Sequence, residues 1–170
     1  MSRIKIIILK LTILIVISSF FFYIGNLLTV RPTDISGNGN LSLLAIPAVL
    51  LCLIFLVVEW TKLIRFFNIN IPALIAMFIG LSLVLFWRIS YQVDAFRQKQ
   101  SFVRDVALQR EIEGGASLEA SLEYVNQIAG WSSPYMSNQL FNLNTFLIFV
   151  CIPLLLGTVV TIINKLKKQT

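Results

Sequence analysis

The order of apolar and polar residues along the chain is typical of a membrane protein. Four long apolar runs are separated by polar segments, and each is close to or longer than the roughly 20 residues that a helix needs to cross bilayer hydrocarbon. The runs cover about 6–30, 42–60, 71–87 and 145–163. We therefore predict an all-α integral membrane protein with four transmembrane helices, for which the lipid bilayer is the main surrounding medium.

Basic residues at the ends of these runs predict the orientation. They cluster before the first run, between the second and third, and after the fourth. The opposite side has only Arg31 in its short loop, and its long loop balances five basic residues against six acidic ones. The positive-inside rule then places both termini in the cytoplasm of a bacterial cell, with the chain in the inner membrane. The residues on this side that we predict to contact a partner are Lys62, Arg65, Lys165, Lys167 and Lys168.

The segment 88–143 is predicted to be helical and extracytoplasmic. Its apolar residues recur at alternating steps of four and three, which is typical of an amphipathic helix or a short coiled coil between copies of the chain. This helix would continue the third span, end at Gly114 and Gly115, and be followed by a second helix capped by Ser117 in a hairpin. The second helix would place four apolar residues on one face, namely Leu118, Leu122, Val125 and Ala129. We call the repeated positions the seam; they are Ile89, Val93, Phe96, Val103 and Ala107, with Gln100 filling the gap.

An aromatic segment precedes the fourth run and has two interpretations. Trp131 and Tyr135 flank a Ser-Ser-Pro sequence, and such residues favour the bilayer interface. They either anchor the chain at the membrane surface or form a docking surface outside it.

Composition excludes several kinds of chemistry. The chain is 57% hydrophobic and has no histidine, so the commonest ligand of zinc, copper and haem is missing. Cys52 and Cys151 lie inside apolar runs and form no CxxC motif, which predicts a packing role. We expect no cofactor and no metal.

The positions of the charged residues argue against catalysis and against nucleic-acid binding. No ionisable group lies deep within an apolar run, since Lys10 and Glu59 are close to span ends, and Glu59 is predicted to pair with Lys62. The net charge of +6 comes from residues at run ends, so we expect neither enzyme activity nor direct nucleic-acid binding.

Small residues within the spans leave two kinds of packing open. The steps Ala76–Gly80 and Gly157–Thr161 allow helices to approach closely. Either contacts between copies of the chain or packing within one chain would use them.

Three functions fit these predictions. The chain is a non-enzymatic subunit that senses an envelope event and assembles with a soluble cytoplasmic protein, an immunity protein against a membrane-active toxin, or a holin-like pore effector. The folded outer loop favours the first function, because a sensor needs an element that meets its stimulus outside.

In size, in number of spans and in the long loop before the last span, the chain resembles the membrane subunit of the Kiwa anti-phage defence system. The resemblance is one of architecture, and no functional residue is carried over by it. It implies an oligomeric inner-membrane component that detects phage attack at the envelope and works with a soluble cytoplasmic partner that acts on phage nucleic acid.

Overall fold

The computed structural model describes residues 2–34, 39–115 and 117–168, and every regular element in these ranges is helical. The long helices are α1 (Arg3–Leu27), α2 (Ala45–Phe66), α3 (Ile71–Glu113), α4 (Leu118–Ile128) and α6 (Leu143–Leu166). Short elements precede two of them: a 3-10 turn at Leu41–Leu44 leads into α2, and a 3-10 turn at Pro134–Met136 is followed by the four-residue α5 (Ser137–Leu140).

Four of these helices are long and apolar enough to cross a membrane: α1, α3, α6, and α2 taken with its preceding turn. The all-helical class is therefore confirmed for the described residues, and the number of helices that could span a membrane equals the predicted four. Large apolar side chains cover the outside of these helices; Leu83 and Phe86, for example, are 66% and 74% exposed. In a protein surrounded by lipid, such side chains are in contact with acyl chains.

The helix ends differ from the predicted span ends because charged residues continue a helix beyond the hydrocarbon. α1 begins at Arg3, and α2 continues through Lys62 and Arg65 to Phe66. Long basic side chains are good helix formers and can extend toward the headgroups. α2 is followed by Asn68, whose φ of 46° lies in the left-handed region.

α3 is 43 residues long, which corresponds to about 65 Å at 1.5 Å per residue and is about twice the thickness of bilayer hydrocarbon. Only its first part is apolar. The helix ends at the predicted glycines: Gly114 N donates to Arg110 O, Gly115 N donates to Ile112 O, both at 3.0 Å, and Gly115 has a φ of +85°. Glycine adopts this φ without the steric cost that a Cβ adds.

The described residues form two compact units. Unit 1 contains residues 2–21, 47–89 and 146–168, and unit 2 contains the described residues of 22–46 and 90–145. α3 contributes to both, because it passes from one range into the other.

Buried hydroxyl groups of unit 1 donate to carbonyl oxygens of their own helices. Ser18 Oγ donates to Leu14 O at 2.7 Å, and Thr161 Oγ1 donates to Gly157 O at 2.8 Å. These bonds remove the cost of an unpaired hydroxyl within an apolar bundle. Gly157 lies against Trp60 and Thr61 of α2, so the small residues of α6 serve packing within one chain.

Unit 2 has its own apolar core, which contains Val103 of α3, Ala129, Tyr135 and Met136. α4 meets this core through its last residue, Ile128, which packs against it. The core residues come from segments distant in sequence and from outside the apolar spans. Unit 2 is therefore a packed body and more than a connection between spans.

Candidate functional site

Four basic side chains line one cavity in unit 1. The cavity has a volume of about 480 Å³, and it is lined by Arg3 and Lys10 of α1 and by Lys62 and Arg65 of α2. Among the described residues, no carboxylate forms an ion pair with Arg3, Lys10 or Arg65. Two residues predicted to contact a partner thus share a cavity with two basic residues of α1. We call this the basic cavity; its remaining lining residues are Ile6, Ile7, Glu59 and Phe66.

Among the residues that the structure describes, Glu59 is the one acidic residue lining the basic cavity, and it is only 7% exposed. Lys62 Nζ donates to Glu59 Oε1 at 2.6 Å, which confirms the pair predicted from their spacing. The second carboxylate oxygen, Oε2, is buried and accepts no hydrogen bond. A buried acceptor without a donor is costly, and this one belongs to a residue that lines the basic cavity.

The basic end of α6 contacts the turn that follows α2. Lys165 Nζ donates to Asn68 Oδ1 at 2.9 Å, although the two residues are 97 positions apart. Lys165 and Lys168 line two further cavities of about 590 and 220 Å³, and Arg65 lines the smaller one. Lys167 is exposed on the same stretch of chain. The turn after α2 and the end of α6 therefore form one basic surface, which we call the tail surface.

In unit 2, the side-chain amide of Asn40 connects two segments. Its Nδ2 donates to the carbonyl oxygens of Ser132 and Ser133, both at 3.0 Å. Its Oδ1 accepts from Ser42 N and from Ser137 Oγ, also at 3.0 Å. Ser42 Oγ donates to Ser137 Oγ at 2.7 Å, and both serines are fully buried. Because every polar group of the Asn40 side chain is used, the residues before α2 are fixed to those before α6.

The two predicted aromatic residues have different environments. Tyr135 is 5% exposed and its hydroxyl donates to Asp34 O at 3.0 Å, and Pro134 O accepts from Val30 N at 3.1 Å. Trp131 is 62% exposed. Tyr135 is therefore a core residue of unit 2 and offers no free surface, whereas Trp131 can contact lipid or a partner.

The seam residues also differ in burial. Val103 is fully buried and Phe96 packs against the same core of unit 2, so these two side chains are used within the chain and are not free to pair with a second copy. Ile89 and Val93 are 47% and 43% exposed. A contact between copies through the seam stays a prediction for these two residues.

The predicted face of the second outer helix needs a similar correction. Val125 and Ala129 are buried, as expected for an inner face, but Leu118 and Leu122 are 59% and 46% exposed. Ser121 takes the buried position, and its hydroxyl donates to Ser117 O at 2.8 Å.

A second polar cluster of unit 2 was not predicted from the sequence. Gln92 Nε2 donates to Gln139 O at 2.7 Å, and Gln92 Oε1 accepts from Asn144 Nδ2 at 3.0 Å. Asn26 Nδ2 donates to Phe141 O at 2.7 Å. Each of these amides lies near the end of an apolar run. Such a position is a signal for a structural hydrogen bond at the membrane surface, but it does not identify the bonding partner.

Within the part of the chain that the structure describes, no group of three or more Cys, Asp or Glu side chains is arranged to hold a metal ion. The chemistry that the described geometry offers is anion recognition at the basic cavity and the tail surface, and protein or lipid contact at Trp131.

No protein-family model, curated protein or solved structure matches this chain significantly.

Proposed function

We propose that this protein is a non-enzymatic subunit of the bacterial inner membrane that senses an event at the cell envelope and assembles with a soluble cytoplasmic protein. Phage attack is the candidate event, on the basis of the resemblance in architecture to the Kiwa membrane subunit. In this proposal both termini and the tail surface are cytoplasmic, unit 2 is extracytoplasmic, and the chain forms a homo-oligomer.

The packed and hydrogen-bonded body of unit 2 is the observation that carries this proposal. Loops of two to eight residues are enough to join neighbouring helices, whereas ordering a residue costs about 1–2 kcal/mol of backbone entropy. In unit 2, the Asn40 network and the fully buried Val103 and Met136 hold such residues in place. An ordered body with Trp131 exposed has the properties needed to meet a stimulus outside.

The continuous helix α3 supports the transmission of a signal from unit 2 to the cytoplasmic segments. α3 carries Val103 in the core of unit 2, and the same helix begins at Ile71, close in sequence to Asn68 of the tail surface. A displacement of unit 2 would therefore reach the cytoplasmic segments through a single element. The tail surface is the place where we expect the soluble partner to bind, because it combines both candidate cytoplasmic segments.

The orientation gives the first prediction. In intact cells, a cysteine introduced by Glu123→Cys should react with a membrane-impermeant maleimide, and one introduced by Lys168→Cys should react only after the membrane is permeabilised. Both positions are exposed. The native Cys52 and Cys151 should stay unlabelled, because both lie within spans. The reverse pattern of labelling would overturn the proposed topology.

The partner gives the second prediction. A mild-detergent pull-down of the tagged protein from its native cells should recover a soluble protein in stoichiometric amount. The triple variant Lys165→Gln, Lys167→Gln, Lys168→Gln should reduce this recovery about tenfold or more, since each lost cation weakens contact with an acidic surface. As a matched control, the triple variant Arg97→Gln, Lys99→Gln, Arg104→Gln loses the same charge from unit 2 and should retain the partner.

Other outcomes of this experiment select other functions. Recovery of the protein without a partner contradicts the sensing subunit. Capture of a toxin only when toxin is supplied would identify an immunity protein, and collapse of the membrane potential on induction of this protein alone would identify a holin-like effector.

A further inference from the structure

The basic cavity has the charge that a phosphate-bearing ligand requires. It is lined by four basic side chains and one carboxylate, so three net positive charges surround a space of about 480 Å³. Lys62 is engaged with Glu59, whereas Arg3, Lys10 and Arg65 have no carboxylate partner among the described residues. Arginine and lysine bind phosphate through charge-assisted hydrogen bonds. The volume lies within the range of small-molecule sites.

The apolar part of the lining identifies the kind of ligand. Ile6 and Ile7 belong to the first turns of α1, and Phe66 is the last residue of α2. These are the ends of two helices that can span a membrane, so the cavity is expected at the level of the lipid headgroups. A ligand with a charged head and an apolar body fits such a lining better than the acidic segment of a soluble protein, which would leave the apolar residues uncovered.

Glu59 supplies a second and independent observation. Its Oε2 is buried, accepts no hydrogen bond and belongs to a residue that lines the cavity. A carboxylate oxygen in this state repels phosphate but accepts from a hydroxyl group. The ligand should therefore carry a hydroxyl donor beside its phosphate.

We propose that the basic cavity binds an anionic phospholipid headgroup whose phosphodiester pairs with the basic residues and whose hydroxyl donates to Glu59 Oε2. Phosphatidylglycerol has both groups. Phosphatidylethanolamine has no net charge, and its ammonium group would lie among four cations. Arg65 lines both this site and the smaller cavity of the tail surface, where the soluble partner is proposed to bind. Arg3 and Lys10 belong to the lining of the basic cavity, and the lipid site does not depend on the proposed function.

Native mass spectrometry of the purified full-length protein tests the ligand. Four probes are compared at equal concentration: phosphatidylglycerol; phosphatidylmethanol, which has the same charge without the hydroxyls; phosphatidylcholine; and inorganic phosphate. We expect retention about fivefold or more greater for phosphatidylglycerol than for phosphatidylmethanol, and weaker retention of phosphatidylcholine. Equal retention of the first two would overturn the hydroxyl contact, and displacement of lipid by millimolar phosphate would make this a free-anion site.

Two variants test the location of the site. Arg3→Gln and Lys10→Gln each remove one lining cation, and each should lower phosphatidylglycerol retention about fivefold, the usual effect of one basic residue at an anionic membrane surface. Lys5→Gln removes the same charge from α1 outside the lining and should lower it less than about twofold. Equal losses in all three variants would overturn the site. If a variant fails to fold, as judged by its thermal melt, the comparison of the four probes on the unaltered protein decides whether the cavity binds an anionic phospholipid.

Discussion

Gly25→Ala should lower the free energy of unfolding of the whole protein by about 2 kcal/mol. A Cβ at this position would lie 2.6 and 2.7 Å from Cδ2 and Cδ1 of Phe141, and still closer to its Cγ. The ring has little freedom to move away, because Phe141 is 4% exposed and packs edge-on against Phe22 at 5.7 Å. Its carbonyl oxygen also accepts from Asn26 Nδ2.

The sign of this effect follows from two opposing terms. Alanine in place of glycine stabilises a helix by about 1 kcal/mol. Expulsion of a buried phenylalanine ring costs about 3–5 kcal/mol when it is complete, and partial overpacking costs about 1–3 kcal/mol. The steric term is therefore larger, and the net change is a loss of stability.

Thermal and denaturant unfolding in detergent or nanodiscs measures this loss, with Gly80→Ala as the matched control. Gly80 is also a glycine within a helix, but a Cβ there would meet no atom within 4 Å, so the variant should be as stable as the unaltered protein or slightly more so. Phe141→Leu should cost less in the Gly25→Ala background than alone, because the smaller side chain leaves room for the methyl group. Equal stability of Gly25→Ala and Gly80→Ala would contradict the packing that the structure shows.

The features of this protein that could be predicted from sequence are local ones. The four apolar runs predict spans because helix length and bilayer thickness are directly comparable. Gly114 and Gly115 mark the end of α3, since a left-handed residue after a helix favours glycine. The Glu59–Lys62 pair follows from its spacing of three residues. Each of these predictions depends on neighbours within a few turns of one helix.

The features that could not be predicted depend on contacts between distant segments. Asn40 bonds to Ser132 and Ser133, which are 92 and 93 positions away, and an asparagine before a helix predicts only a cap. The sequence predicts an interface role for Tyr135, yet this residue is part of the core of unit 2, and its hydroxyl donates to Asp34 O, 101 positions away. The basic cavity could not be predicted either. The charges at the ends of α1 and α2 indicate only topology in the sequence, and the structure is needed to show that both ends line one cavity.

Gly157→Leu should destabilise the protein by about 3 kcal/mol. A Cβ on Gly157 would lie 3.1 Å from Thr61 N, 3.2 Å from Thr61 Oγ1 and 3.3 Å from Trp60 Cβ. Two of these atoms belong to the backbone or to the stem of a side chain, so they cannot move without shifting α2. Helices within a bilayer associate largely through close packing, because lipid tails are as apolar as the helix surfaces. A leucine would force α2 and α6 apart and remove this packing.

Gly80→Leu is the control for this change, because it adds the same side chain to α3 at a position where a Cβ has open space. It should leave the unfolding transition of a single chain unchanged, and Gly157→Ala should fall between the two leucine variants, since its Cβ needs α2 to shift by only a few tenths of an ångström. If the exposed step at Ala76–Gly80 joins copies of the chain, Gly80→Leu will reduce the mass of the oligomer while the fold of each chain persists. Unfolding of Gly157→Leu at the same temperature as Gly80→Leu would show instead that α2 and α6 are not in close contact.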